Sequence, residues 1–357
     1  MKSVELQRCA RVAIEICGGV KAGERVLIVT DTMRDPSVAE ALMGAALAAG
    51  AEPVLTIMPT KRSTPQEPPP SVRAAMAQAD IVYLYTSFSL THSGARVQAQ
   101  QAGARVITMP GVTEDGFLRT LSVDMDRLVQ LTNALSVRVA QARTARVTTA
   151  LGTDMRYELE HPLAILDGVV RQSGDLDAFP PGLFLSVPTQ KKASGVAVVD
   201  GSITQIGRVS APVTLRFEES RLVSIEGGNE AARLSSLLAS LDDPNAYEFA
   251  AWGIGTNPGA ALIGEDPSFE GERVHGWTHV STGSSAALPG GTVKSKIHLD
   301  GIIGAPTIYL DGEIILDNGV FAEKFRSEGI SPQKLPTSNV TTSRQASDQG
   351  ESSGRTH

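Results

Sequence analysis

The sequence predicts an α/β N-terminal domain with a parallel sheet, over residues 1–145, followed by an α+β, mostly antiparallel C-terminal domain, over residues 146–330. Three observations predict this. The chain has 357 residues, enough for about two domains at roughly 150 residues each. Up to residue 145, short apolar runs alternate with helical patterns, as in a parallel sheet flanked by helices. Beyond 146, short β-rich segments follow one another with turn residues between them.

Residues 3–19 read as an amphipathic helix with Val4, Cys9, Val12, Ile16 and Cys17 near one face. VLIVT (26–30) is a short apolar run suited to a buried strand. DPSVAEALMGAALAAG (35–50) is a helix opened by Asp35 and Pro36 and closed by Gly50. PVLTIM (53–58), IVYLYT (81–86) and RVITMP (105–110) are further strands. Helices lie between them, at SVRAAMAQAD (71–80) and at 92–103. Residues 124–143 form one long helix, with Leu128, Leu131, Leu135, Val139 and Ala142 at helical spacing.

In the second half, Asp200-Gly201 and Asp311-Gly312 each sit between alternating apolar runs, a hairpin signal. One helix, NEAARLSSLLASLDD (229–243), interrupts the strands. Residues 331–357 carry only Leu335, Val340 and Ala346 as apolar side chains, so they read as a disordered tail.

Composition excludes several classes. Thirty-two basic residues face 39 acidic ones, a net charge of −7 with no basic run. Nucleic acid and anionic membrane both need clustered Lys and Arg, so neither is expected as a partner. Two cysteines, Cys9 and Cys17, cannot build a disulfide framework or a Cys-rich zinc site. No apolar run approaches the ~20 residues of a membrane helix, and the N-terminus lacks the apolar core of a signal peptide. A cytoplasmic location is expected.

The chain has six histidines. His275, His279 and His298 fall in one Gly-, Ser- and Thr-rich stretch, ERVHGWTHVSTGSSAALPGGTVKSKIHLDG (272–301). His298 and Asp300 form an H-x-D pair, and on a strand positions i and i+2 share a face. A third ligand from this segment would give two histidines and one carboxylate with open positions. That set suits mononuclear Fe(II), and Zn(II) or Mn(II) would accept the same donors. The second domain is therefore the candidate metal-binding one. His92, in SLTHSGAR, stands at the start of a helix after the third strand, where it either caps the helix or faces a ligand at the carboxyl end of the sheet. His161 precedes Pro162 and reads as structural. There is no Gly-x-Ser-x-Gly elbow and no Walker loop, and GIGTNPG (253–259) lacks the following amphipathic helix of a dinucleotide loop.

The ordered set SFSLTHSGAR (87–96), GARVITMPGVTEDGF (103–117), IEGGNEAARL (225–234), WGIGTNPGA (252–260), GERVHGWTH (271–279) and HLDG (298–301) resembles the aminopeptidase T/S family of metallopeptidases. The resemblance runs over nearly all of residues 1–322. It implies an N-terminal α/β domain and a C-terminal α+β domain carrying the metal ligands. By position, Glu272, His279, His298 and Asp300 match family metal-site residues. The family has carboxylates where this chain has Ala251 and Leu183, although Glu248 is near the first. Losing bridging carboxylates weakens a two-metal hydrolytic site.

Where the chain leaves the peptidases it is similar to their offshoot, the 2,5-dihydroxypyridine 5,6-dioxygenases. PPGLFLSVP (180–188), DDPNAY (242–247), STG (281–283), GG (290–291) and HLD (298–300) carry that likeness. The offshoot implies a mononuclear Fe(II) ring-opening enzyme with a histidine at the position of Ala251. Here that histidine would have to be His279. The expectation is a dioxygenase using O2 on a small hydroxylated N-heteroaromatic, with Fe(II) on His279, His298 and Asp300. His92 or His275 would serve as acid/base, since imidazole titrates near neutrality. The alternative is a metal-dependent aminopeptidase or small-amide hydrolase using Zn, Co or Mn, with Glu248 as a replacement ligand and Glu272 as bridge or base. A third reading is a ligand-binding relative without metal. Relatives imply a homo-oligomer, at least a dimer.

Overall fold

A computed structural model describes residues 2–60, 67–263 and 267–326, the side chains at 161, 162, 267 and 268 excepted. The 331–357 tail with His357, and the side chain of His161, lie outside the described residues.

The first half supplies four strands of a five-stranded parallel sheet. Its strands are β1 (Arg25–Asp31), β2 (Glu52–Met58), β3 (Ile81–Tyr85) and β4 (Arg105–Thr108), joined through α2 (Ser37–Ala48), α3 (Pro70–Met76) and α4 (Gly94–Gln101). The apolar strands are unbroken because both faces are covered. Val26 and Ile28 of β1, with Ile81, Tyr83 and Tyr85 of β3, pack on one side. Leu27 and Val29, with Val82 and Leu84, pack on the other. Asp35 opens α2 as read, its carboxylate accepting the Ser37 N–H at 2.9 Å.

The N-terminal helix corrects the reading in one respect. It is α1 (Lys2–Arg11) followed by one π-helical segment, Val12–Cys17. Its buried face is Leu6, Cys9, Ala10, Ala13, Ile14 and Cys17, whereas Val4 and Ile16 are 70% and 46% exposed. The i→i+5 pattern winds Ile16 outward. The Tyr83 hydroxyl supports it by donating to the Ala13 carbonyl at 2.9 Å.

α5 (Glu114–Leu121) and α6 (Met125–Gln141) lead into the antiparallel half. Its strands begin with β5 (Thr144–Thr148) and the long β6 (Asp154–Leu166). β7 (Leu176–Ala178) then returns to the first sheet as a fifth parallel strand beside β4, giving the order β2-β1-β3-β4-β7. So the parallel sheet takes one strand from beyond residue 145. The second sheet continues through β8 (Leu183–Val199), β9 (Ser202–Ile203), β10 (Gly207–Arg208), β11 (Val213–Glu218) and β12 (Arg221–Glu226). After α7 (Asn229–Ser240) come β13 (Phe249–Gly255), α8 (Pro267–Gly271), β14 (Thr278–Gly283), β15 (His298–Ile303), β16 (Thr307–Leu310), β17 (Glu313–Asp317), β18 (Val320–Phe321) and α9 (Glu323–Arg326). Its main path runs β10-β9-β15-β14-β13-β8-β6-β5-β16-β17-β18, with β11 and β12 branching from β8.

Asp311-Gly312 turns the β16–β17 hairpin with both residues at positive φ, 50° and 86°. Asp200-Gly201 does not make a hairpin. β8 leaves through it to β9, which pairs with β15. The Gly201 N–H donates to Ile302 at 3.0 Å, and a Cβ there would stand 3.0 Å from that carbonyl. The glycine serves a close crossing.

The two halves lock at GIGTNPG. Asn257 is fully buried. Its amide donates to Thr120 and Pro181 at 3.1 and 2.9 Å, and its side-chain oxygen accepts from the Gly259 N–H at 2.8 Å. Among the described residues no helix is long and apolar enough to cross a membrane.

Candidate metal centre

β13, β14 and β15 lie side by side and antiparallel. Gly253 faces His279, which faces Ile302. Ala251 faces Ser281, which faces Asp300. Gly283 faces His298. Opposed residues on neighbouring strands share a face, as do residues two apart on one strand. One face of the sheet therefore gathers Ala251, His279, Ser281, His298 and Asp300. The other face sends Trp252, Val280, Leu299 and Ile303 into the main core.

Glu272, from the turn before β14, completes the group. One ligand atom each from Glu272, His279 and Asp300 lies within 4.8 Å of the others. The three residues are 8%, 0% and 6% exposed. Both ring nitrogens of His279 are buried with no hydrogen-bond partner among the described residues. A neutral imidazole needs a donor or acceptor at each nitrogen, and leaving both unmet is costly. A cation between His279 and the two carboxylates would meet one of them, so the donor set fits a metal.

Electrostatics follows from this burial. Loss of solvation pushes His279 down to about 4, so it is neutral and able to ligate. For Asp300, burial alone would favour the neutral acid. The His298 charge and contact, His279 and the Ser281 hydroxyl together hold the carboxyl well below its ordinary range. Burial opposes protonation of His298, but Asp300 outweighs it and raises His298 to about 9.

His298 is ion-paired, its Nε2 standing 3.2 Å from Asp300 Oδ1. Its Nδ1 donates to the Ser284 carbonyl at 2.7 Å, which leaves Nε2 as the nitrogen facing the site. Ligand-range grouping joins Asp300 with His279 and Glu272, and His298 stands against Asp300.

The other predicted residues are placed as follows. Glu248 pairs with Arg221 at 2.6 Å and does not join the grouped ligands. His275 is exposed, with Nδ1 3.1 Å from the Thr256 carbonyl and its ring edge-on to Phe321 at 4.8 Å. His92 follows β3, directly before Ser93, whose hydroxyl caps α4 by accepting the Arg96 N–H at 3.1 Å. Crowding by protein, then the charges of Arg96 and His298, lower the pKa of His92. His92 itself is exposed, in the loop between β3 and α4.

Several contributors escaped the sequence reading. The Ser281 hydroxyl donates to Asp300 at 2.5 Å, and Thr204 Oγ1 accepts the Asp300 N–H at 3.1 Å. Ser281 was detectable as the residue two beyond His279 on a strand. Gly253 matters through what it lacks, because a Cβ there would stand 2.6 Å from His279 Cε1 and 2.3 Å from the Phe184 carbonyl oxygen. Arg273, 2% exposed, pairs with Glu272 at 3.1 Å and donates to the Pro180 carbonyl at 3.1 Å.

A parallel sheet joined to a large antiparallel one, with a buried imidazole between two carboxylates, makes a two-sheet fold carrying a candidate metal site. The solved 2,5-dihydroxypyridine dioxygenase of Pseudomonas putida KT2440 is similar over 90% of this chain and 98% of that one, with a TM-score of 0.78 and 22% identity. AmpT of Thermus thermophilus is similar over 89% of this chain and 99% of its own, with a TM-score of 0.60 and 15% identity. Both show the fold. In sequence, the 2,5-dihydroxypyridine 5,6-dioxygenase of Pseudomonas putida KT2440 is 25% identical over 262 residues, 69% of this chain and 72% of that protein. The NicX family, 2,5-dihydroxypyridine 5,6-dioxygenase, matches residues 5–323. The chain belongs to this family of ring-cleavage dioxygenases.

Proposed function

We propose that the protein is a metal-dependent dioxygenase that opens the ring of a small hydroxylated N-heteroaromatic of the 2,5-dihydroxypyridine type, inserting both atoms of O2 as a ring C–C bond breaks. The family match over residues 5–323 carries the reading. The partnerless His279 ring between Glu272 and Asp300 supports the metal.

His279, Asp300 and Glu272 would hold the cation, which we assign as Fe(II), and His298 would join them through Nε2 on giving up the proton it holds against Asp300. Bound there, it would supply neighbouring positions for a deprotonated substrate hydroxyl and for O2. The chain's own residues do the rest. The Ser281 and Thr204 hydroxyls donate to the Asp300 carboxylate at 2.5 and 3.4 Å, so the ligand does not swing on binding. His92, kept neutral at pH 7 by its lowered pKa, is the base that takes the hydroxyl proton. His275 is tied to Thr256 and Phe321, and holds the turn that carries Glu272. A cytoplasmic homo-oligomer, at least a dimer, goes with this reading.

The test is the iron content of anaerobically purified protein together with O2 uptake on 2,5-dihydroxypyridine. One iron per chain and stoichiometric O2 uptake are expected. No uptake with any dihydroxypyridine overturns the proposal. The hydrolase alternative draws on Glu272, which lies in the cluster. Two zinc or cobalt ions per chain with cleavage of aminoacyl anilides would establish it instead. Against it, Glu248 is engaged with Arg221, and Ala251 and Leu183 offer no donor.

A further inference from the structure

Arginines rarely leave water, because a buried guanidinium is costly unless it is paired. Among the described residues two do, Arg105 at 9% exposed and Arg273 at 2%. Arg105 pairs with Glu24 in the first half. Arg273 pairs with Glu272, one of the grouped ligands, its Nη1 standing 3.1 Å from Oε2. Adjacent residues on an extended chain point apart, so this pair needs a turn. The Arg273 and Val274 N–H groups supply it by donating to the Glu270 and Gly271 carbonyls at 3.0 and 3.2 Å.

The guanidinium is held on several sides. Its Nε donates to the Pro180 carbonyl at 3.1 Å and its Nη1 to the Phe269 carbonyl at 2.5 Å. Its central carbon stands 4.4 Å from the centroid of the Phe269 ring. The backbone is pinned as well. The Asn257 N–H donates to the Arg273 carbonyl at 2.9 Å, and a Cβ on Gly255 would stand 2.4 Å from that carbonyl carbon. The positive charge is therefore a built part of the centre. It competes with a metal for the Glu272 carboxylate.

We propose that Arg273 is a positioning residue that keeps Oε2 of Glu272 to itself, so that Glu272 gives the metal one oxygen and never both. This rests on the metal-dependent ring-cleavage reading above. His279, His298, Asp300 and a one-oxygen Glu272 leave an octahedral ion a pair of positions, as a substrate hydroxyl and O2 together require. The second oxygen of Glu272 would take one of that pair. Arg273 thus keeps the centre open by restraining a ligand.

The experiment is anaerobic titration of the metal-free protein with Co(II), whose visible d–d bands weaken as its coordination number rises. Bound Co(II) and melting temperature are measured on the same samples. Arg273→Gln should bind Co(II) about tenfold more tightly and show weaker bands than the wild type, as the second Glu272 oxygen closes on the ion. Arg273→Lys keeps the charge without the fork. It should restore most of the wild-type spectrum, and it guards against misfolding of the glutamine variant. Glu272→Gln supplies the spectrum of a lost ligand. A wild-type spectrum and affinity in Arg273→Gln overturn the inference. So does the spectrum of Glu272→Gln in that variant, because Arg273 would then deliver the ligand rather than restrain it. Identical spectra for the wild type and Glu272→Gln also overturn it, by removing Glu272 from the metal. O2 uptake on 2,5-dihydroxypyridine is read separately with the iron-loaded wild type. The expected spectral changes without O2 uptake leave the restraint standing and sink the dioxygenase reading. O2 uptake with no spectral change does the reverse.

Discussion

The imidazole of His279 lies over the bare backbone of Gly253, close enough that a Cβ on the glycine would stand 2.6 Å from Cε1 and 3.2 Å from Nε2. The same Cβ would stand 2.3 Å from the Phe184 carbonyl oxygen on the opposite strand. Neither contact can be relieved without moving strand or ligand. Gly253→Ala should therefore cost about 1–3 kcal/mol of stability and displace the His279 ring. Metal content and thermal melts check this. Full metal occupancy in a folded variant would refute it.

A cation bound only by the folded state raises stability by mass action, about 2.7 kcal/mol at a free concentration 100 times its dissociation constant. Adding Fe(II) anaerobically, or Zn(II) as a redox-inert probe, should raise the melting temperature of the chelator-treated protein. His279→Ala should abolish that rise, because it removes the ring whose nitrogens are otherwise unmet. Comparing Glu272→Gln with His298→Asn in the same assay ranks the two remaining donors. A melting-temperature rise that survives His279→Ala would move the metal elsewhere.

The two neighbouring histidines predict opposite pH dependences for the metal-free protein. His279 titrates near 4 when folded and about 6.5 when unfolded. Between these values the unfolded chain binds more protons, so stability rises with pH up to about 6.5. His298 titrates near 9 when folded. Its contribution is complete below about 6.5 and is lost as pH rises through 9. Stability should peak near pH 6.5. His298→Asn should remove the alkaline fall, and His279→Leu should flatten the acid side. A profile that stays level from 6.5 to 9 in the metal-free wild type would contradict the ion pair with Asp300.

The parallel sheet was legible because apolar runs buried on both faces at regular intervals admit few other folds. The β7 strand was not, because Leu176–Ala178 is three residues long and its partner β4 lies some 70 positions earlier. Pairing over such a distance leaves no local pattern. The H-x-D pair was legible from strand periodicity alone. Ser281 was readable by the same rule once His279 was placed on a strand. Gly253 was not, since a glycine acts through the neighbour it admits, and the His279 ring comes from another strand. Asp200-Gly201 misled for a related reason. A turn dipeptide specifies a reversal, and only the partner of the next strand decides whether a hairpin follows.

His92 comes from the first half, whereas the candidate centre is built by the second. If it is the base, His92→Asn should lower kcat by about 10²–10⁴ with metal content and melting temperature unchanged. The lowered pKa of His92 sets the sign of the pH effect. Activity should rise with pH through a value below that of free imidazole as the ring loses its proton. A variant that loses activity together with metal would make His92 a structural residue.

Arg119 ties the two halves together close to the ligands. From α5 it grips Glu270 with two nitrogens, at 2.6 and 3.0 Å, and donates to the Gly259 carbonyl at 2.6 Å. Glu270 also accepts the Ala261 N–H at 2.7 Å and lies two residues before Glu272. Removing the guanidinium leaves a mostly buried carboxylate unpaired, so Arg119→Ala should destabilise the protein by about 3 kcal/mol. Arg119→Lys keeps the charge and loses the fork, and should recover part of the stability. The clamp holds the turn carrying Glu272, so metal affinity should fall in the same order, alanine below lysine below wild type. Combining Arg119→Ala with Glu272→Gln separates stability from ligand placement. If Arg119 acts by placing Glu272, the double variant should bind metal no more weakly than Glu272→Gln alone. Additive losses would make Arg119 a support of the fold with no share in the site.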